Sequence, residues 1–183
     1  DSLLFVGLDL YLGKDHEVYA DFPGYVKQNY HKDHLIVDIA DAMVRPLLGT
    51  PADNSFISRI VQEGKRLEIL SLLLPNASKE EIMGYTQEQW NWAEMSESNM
   101  WKYFVQNELL YSTDPELSRR FIEEAPFSKF YLEVDRDSPG RIGSWFGWRI
   151  AEAYWSNADP GMRGLITIDN EELFKRSKYK PAK

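Results

Sequence analysis

Apolar positions along this chain recur mostly with a helical period. Between 56 and 74 the residues Phe56, Ile60, Leu67, Leu70 and Leu74 step by four, seven, three and four, which places them on one stripe. The pattern predicts a long helix, capped by Asp53 or Asn54 and closed by Pro75. Ile36, Ile39, Ala40, Met43 and Leu47 predict a helix over 34–48, with Pro46 and Gly49 helping to end it. Ser78 with Glu81, and Thr86 with Gln89, have capping-box spacing. They predict a short helix and then a long one through Asn107. Asp114-Pro115 and Asp159-Pro160 mark further helix starts, and a short helix is expected around 170–175. Two stretches read as strands: 3–13, which alternates weakly before a Gly turn, and 128–134. Residues 14–33 are rich in Pro, Gly and Tyr and read as a loop with at most a short helix. The expected fold is mostly α with a short β-sheet (α+β), in a single domain over 1–183.

The stretch 138–154, SPGRIGSWFGWRIAEAY, concentrates the unusual residues. Ser138 and Pro139 read as a helix start, and Gly140, Gly143 and Gly147 then share a helical face. Glycine inside a helix costs ~1 kcal/mol relative to Ala, which is bearable where another backbone approaches closely. Ile142, Phe146, Ile150 and Ala153 form an apolar stripe beside them. Arg141 falls in the first turn, where a cation opposes the helix dipole, so it is expected to be held by a carboxylate or aimed at a cleft. The spacing G-x-x-G-x-x-x-G is not the dinucleotide fingerprint, and no βαβ pattern follows.

Composition narrows the function. Aromatic residues make up 14% of the chain, with six Trp and ten Tyr, and some are expected to line a groove. The net charge is −8, and the last nine residues alone carry five Lys or Arg, so the rest is more acidic still. An acidic body argues against nucleic acid as a partner. The chain has no Cys and hence neither a disulfide framework nor a thiolate metal site. Its apolar opening, DSLLFVGLDLYLG, reads as a strand already inside a domain, so an N-terminal portion is expected to lie outside this sequence.

Glu63 is the most telling polar residue, because it falls in the gap of the 56–74 apolar stripe and is followed by Gly64. A carboxylate facing a core must be paired, bound to a metal or protonated. Pairing with an Arg or Tyr, with Arg141 as first choice, competes with a ligand or catalytic role. His16-Glu17 begins like H-E-x-x-H, but the fifth position is Ala20. His34 and Asp38 stand at i, i+4 and with Glu63 could hold a metal, although position 35 offers no Glu to act as base.

Several stretches together resemble the gliding-motility lipoprotein GldB family: GLDLYLGKDH (7–16), IVQEGKRLEILSLLLP (60–75), GYTQEQWNW (84–92), the run 101–113, and the 138–154 segment. That resemblance implies a lipoprotein of the cell envelope, facing the periplasm and touching membrane only through an N-terminal lipid anchor. Its implied partners are other envelope proteins of the gliding and secretion machinery. GldB-like proteins are similar in turn to predicted zinc proteases, in which an H-E-x-x-H helix precedes an E-G helix. Glu63-Gly64 matches the second motif, whereas the first reads HLIVDIADAM. The implied protein is therefore zincin-like but catalytically degenerate, with a binding or scaffolding role and no cofactor or tightly bound zinc. Glu63, Arg141, Trp145 and Trp148 are the candidate cleft residues. The enzyme alternative is a zinc metalloprotease using His34, Asp38 and Glu63, and a carbohydrate-binding module suggested by the aromatics is a third reading.

Overall fold

Two long helices meet at glycine, and the rest of the chain is arranged around their crossing. The computed structural model describes residues 3–182. In order, its α-helices are α1 (Gly24–Lys27), α2 (Leu35–Val44), α3 (Phe56–Leu73), α4 (Lys79–Met83), α5 (Gln87–Gln106), α6 (Glu116–Phe121), α7 (Ile142–Ala158), α8 (Gly161–Thr167) and α9 (Asn170–Ser177). Helix α3 packs along α7, and α9 lies against both. An ideal Cβ on Gly147 would sit 1.7 Å from the Ile60 carbonyl oxygen, and one on Gly64 would sit 1.9 Å from the Gly147 carbonyl oxygen. The backbones therefore touch, as the mid-helix glycines predict.

The expected sheet is absent: no strand occurs among the described residues. Two local causes explain this. Around 128–134 the Asp135 carboxylate accepts from the backbone N–H groups of Phe130, Tyr131 and Leu132, at 2.9, 2.9 and 3.2 Å. Those donors are the ones a strand ladder would use, and Tyr131 also takes a left-handed backbone (φ 62°). At the other end, residues 3–7 run unpaired, a 3-10 turn follows at Leu8–Leu10, and Leu3 and Phe5 stay exposed. Alternation without a second strand to bond carries no sheet.

Helix boundaries also shift in instructive ways. Ser55, rather than Asp53 or Asn54, caps α3 through its hydroxyl, while the Asp53 carboxylate accepts from the Ser55 N–H. The helix expected from Ser138 begins only at Ile142, because the Ser138 hydroxyl is spent on the loop, accepting from the Ser128 N–H and donating toward the Ser128 and Asp135 carbonyls. Gly140 thus lies before α7, where a Cβ would meet the Ala125 carbonyl oxygen at 2.0 Å.

Aromatic rings fill the core. Phe56, Phe104, Phe121, Phe130 and Phe146 form one cluster, linked by edge or tilted contacts and by one stacked pair, Phe104 with Phe130. Trp90 of α5 packs edge-on against both Trp145 and Trp148 of α7. Polar groups seal the α3–α9 seam: the Asn170 amide donates to the Ser58 carbonyl at 3.0 Å and Lys65 donates to the Ile168 carbonyl at 2.8 Å.

Candidate functional site

Helix α2, the end of α4, the segment that follows α6 and the Arg141 turn leave a cleft of about 310 Å³ beside α3. His34, Asp38 and Asp41 line it from the α2 side, Glu63 and Arg66 from α3, and Met83, Glu124 and Arg141 from the remaining walls.

Its floor is an ion network. Glu63 and Arg66 stand three residues apart on α3, so their side chains meet without leaving the helix. Arg66 donates to Glu63 Oε2 from Nε (3.1 Å) and from Nη2 (2.8 Å), and from Nη1 to Asp41 Oδ1 at 2.5 Å. The other Asp41 oxygen accepts from Arg45. The Arg66 side chain is only 6% exposed. Burial alone would push its guanidinium down, but the Glu63 and Asp41 carboxylates outweigh that and hold it above its ordinary value.

Glu63 is therefore paired, as expected of a carboxylate on this stripe, but its partner is Arg66 and not Arg141. Its side chain keeps 22% exposure, because the gap in the stripe opens onto the cleft and not onto the core. Arg141 is held elsewhere. It is the N-cap of α7 in a left-handed backbone conformation (φ 59°, ψ 26°), and its Nη1 donates to the Met83 carbonyl at 3.1 Å. Among the described residues no carboxylate forms an ion pair with it. Burial lowers its pKa first, and the like charge of Arg66 lowers it further. A non-glycine residue held left-handed stores of the order of 1 kcal/mol and is worth relating to function.

Trp145 and Trp148 are not cleft residues. They are 0% and 1% exposed, on the face of α7 turned to α5. The Trp148 indole donates to Glu68 Oε2 at 2.9 Å, and burial raises the pKa of that carboxylate despite this bond. Glu68, 5% exposed, is the α3 carboxylate that truly enters the core. Sequence periodicity pointed to Glu63 instead, because Glu68 adjoins Leu67 and reads as an ordinary polar position.

His34, Asp38 and Glu63 all border the cleft, yet they do not converge. His34 Nε2 lies 3.6 Å from Asp38 Oδ1, while the Glu63 carboxylate is turned to Arg66. The one set of three donor groups lying within 4.8 Å of one another among the described residues is His31, His34 and Glu81. The H-x-x-H spacing of 31 and 34 was a legible signal for the first two. The capping-box spacing pairs Glu81 with Ser78, but the Glu81 carboxylate goes to His34 Nδ1 at 2.7 Å.

Glu63, Arg66 and Arg141 of this cleft lie in two of the stretches that carry the family resemblance, 60–75 and 138–154. A family model described as gliding motility protein GldB matches residues 1–181. The chain belongs to the GldB family. No curated protein and no solved structure matches it. In this GldB chain, then, the Glu63-Gly64 pair has two separate uses: Gly64 admits the α7 backbone, and Glu63 holds Arg66 in the cleft.

Proposed function

We propose that this GldB-family chain is a non-catalytic binding domain of the gliding-motility machinery, held in the cell envelope by an N-terminal lipid anchor and facing the periplasm. The observation that carries this reading is the Arg66 guanidinium bound between Glu63 and Asp41. A metallohydrolase needs carboxylates free to hold a metal or to accept a proton from an activated water. Here those at the centre of the cleft are already neutralised by a buried cation, which disfavours both roles. The alternative zinc protease built on His34, Asp38 and Glu63 would first have to break that network. Arg141 gives the cleft its binding character: a guanidinium with one backbone acceptor retains donors for a carboxylate brought by a protein partner.

The test is site-specific photo-cross-linking in gliding cells. A photoreactive residue replacing Glu124, on the cleft wall, should capture a protein of the gliding or secretion machinery, and the adduct should be lost when Arg141→Glu is added. The same probe at the exposed position Glu88 of α5 should not give it. Equal adducts from both positions, or an adduct indifferent to Arg141→Glu, would refute the cleft as the binding site.

A further inference from the structure

Beside the cleft, where the turn leading into α2 meets α4, two imidazoles and a carboxylate point at one another. We propose that His31, His34 and Glu81 form a site for a divalent transition metal of the zinc type, which clamps the start of α2 to α4. This inference is independent of the binding role proposed for the cleft.

The donor atoms are already gathered. His34 Nδ1 lies 2.7 Å from Glu81 Oε1, and His31 Nε2 lies 3.7 Å from the same oxygen. Ligands about 2.0–2.1 Å from a tetrahedral zinc stand about 3.3 Å apart, a value these two separations bracket. The Glu81 carboxylate could accept from both rings, yet as placed it satisfies only one of them. His34 can bond Glu81, which leaves the His31 nitrogen too far away for a bond of its own. A single cation would satisfy all three groups at once. Two neutral imidazoles and one carboxylate suit zinc or cobalt better than calcium or magnesium, which prefer oxygen.

The surroundings match a metal-bound histidine. The His34 side chain is 9% exposed, and its second ring nitrogen, Nε2, faces Asp38 Oδ1 at 3.6 Å. Although 3.6 Å is longer than a hydrogen bond, the carboxylate stands beside the far nitrogen, where such a group commonly orients a metal-ligating imidazole. Asp38 is fixed in turn by the Tyr11 hydroxyl, which donates to its Oδ2 at 2.7 Å. The set leaves a fourth position for water, and it excludes Glu63, whose carboxylate is held by Arg66. The sequence-based expectation of no bound zinc counts only His34, the N-cap of α2, whereas His31 and Glu81 come from outside that helix.

Titration of the purified chain with cobalt(II), followed by visible absorption, tests the site. One cobalt per chain with the intense bands of a tetrahedral complex is expected, displaceable by zinc. His31→Ala and Glu81→Gln should abolish the bands, and Asp38→Asn should weaken binding by about 10–100-fold. Glu63→Gln should leave the affinity unchanged. Circular dichroism of each metal-free variant separates lost binding from lost folding, and His31 and Asp38, being partly exposed, are the substitutions most readily tolerated. No tetrahedral complex at micromolar cobalt, binding unchanged by both His31→Ala and Glu81→Gln, or loss of binding on Glu63→Gln would each overturn the proposal.

Discussion

Gly147→Ala is expected to be among the most damaging single-methyl changes in the protein. The new Cβ would lie 1.7 Å from the Ile60 carbonyl oxygen and 3.0 Å from the Gly64 nitrogen. Both are backbone atoms of α3, so no side-chain rotamer change can relieve the overlap, and two packed helices must separate. Overpacking commonly costs ~1–3 kcal/mol where side chains can adjust. Here the cost should reach or exceed that upper figure, a large part of a total stability of about 5–15 kcal/mol. Gly143→Ala should be milder, since its Cβ would meet the Phe121 carbonyl oxygen at 2.8 Å and the movable Ile60 methyl at 3.1 Å. Gly161→Ala is the reference: its φ of +64° carries strain, but the space is open, so a loss of about 1 kcal/mol is expected. Urea midpoints of the three variants check this order. If Gly147→Ala is no worse than Gly161→Ala, the α3–α7 contact is not as close as described.

Arg66→Met should rank second. It keeps the apolar length of the side chain and removes the charge, so Glu63 and Asp41 are left facing each other. Stranding one side of a buried ion network costs about 3–5 kcal/mol. The two carboxylates keep 22% and 17% exposure, so the lower end is expected. Acid discharges the two stranded carboxylates and relieves their repulsion, so the deficit relative to wild type should shrink as the pH falls toward about 4. Denaturant unfolding of wild type and variant at neutral and acid pH measures this directly. A Glu63→Gln/Arg66→Met double-mutant cycle should show clear coupling, while Glu63→Gln with Arg141→Met should be close to additive. The reverse ranking would restore Arg141 as the partner of Glu63.

What could be read from the chain divides along the range of the interactions involved. Thr86 and Gln89 specify a capping box within four residues, and the structure forms it as written. The spacing of Phe56, Ile60, Leu67 and Leu70 buries all four, because helical periodicity depends on nothing distant. Gly64 and Gly147 announced a close approach through their cost alone. Pairing across the fold was harder to see. Glu63 had a partner three residues away, and local geometry won over the distant Arg141. Trp145 and Trp148 read equally well as cleft or core residues, because large flat rings serve either purpose, and only the position of α5 decides that they are covered. The strand at 128–134 failed because one carboxylate, Asp135, captures three backbone donors, an interaction that alternation patterns do not encode. The Glu81 ligand was hidden for a related reason: a residue at N3 of a short helix reads as a cap until its neighbours in space are known.

The central carboxylates of the cleft are committed to Arg66, and cleavage of peptides tests that commitment most directly. The purified chain, supplied with zinc, is incubated with a diverse peptide mixture, and new termini are counted by mass spectrometry against a control without protein. The expected result is no excess of new termini, with or without zinc. Zinc-dependent cleavage that disappears on Glu63→Gln and on His34→Ala would contradict the account, because Glu63 would then be free to serve a metal or a water despite Arg66.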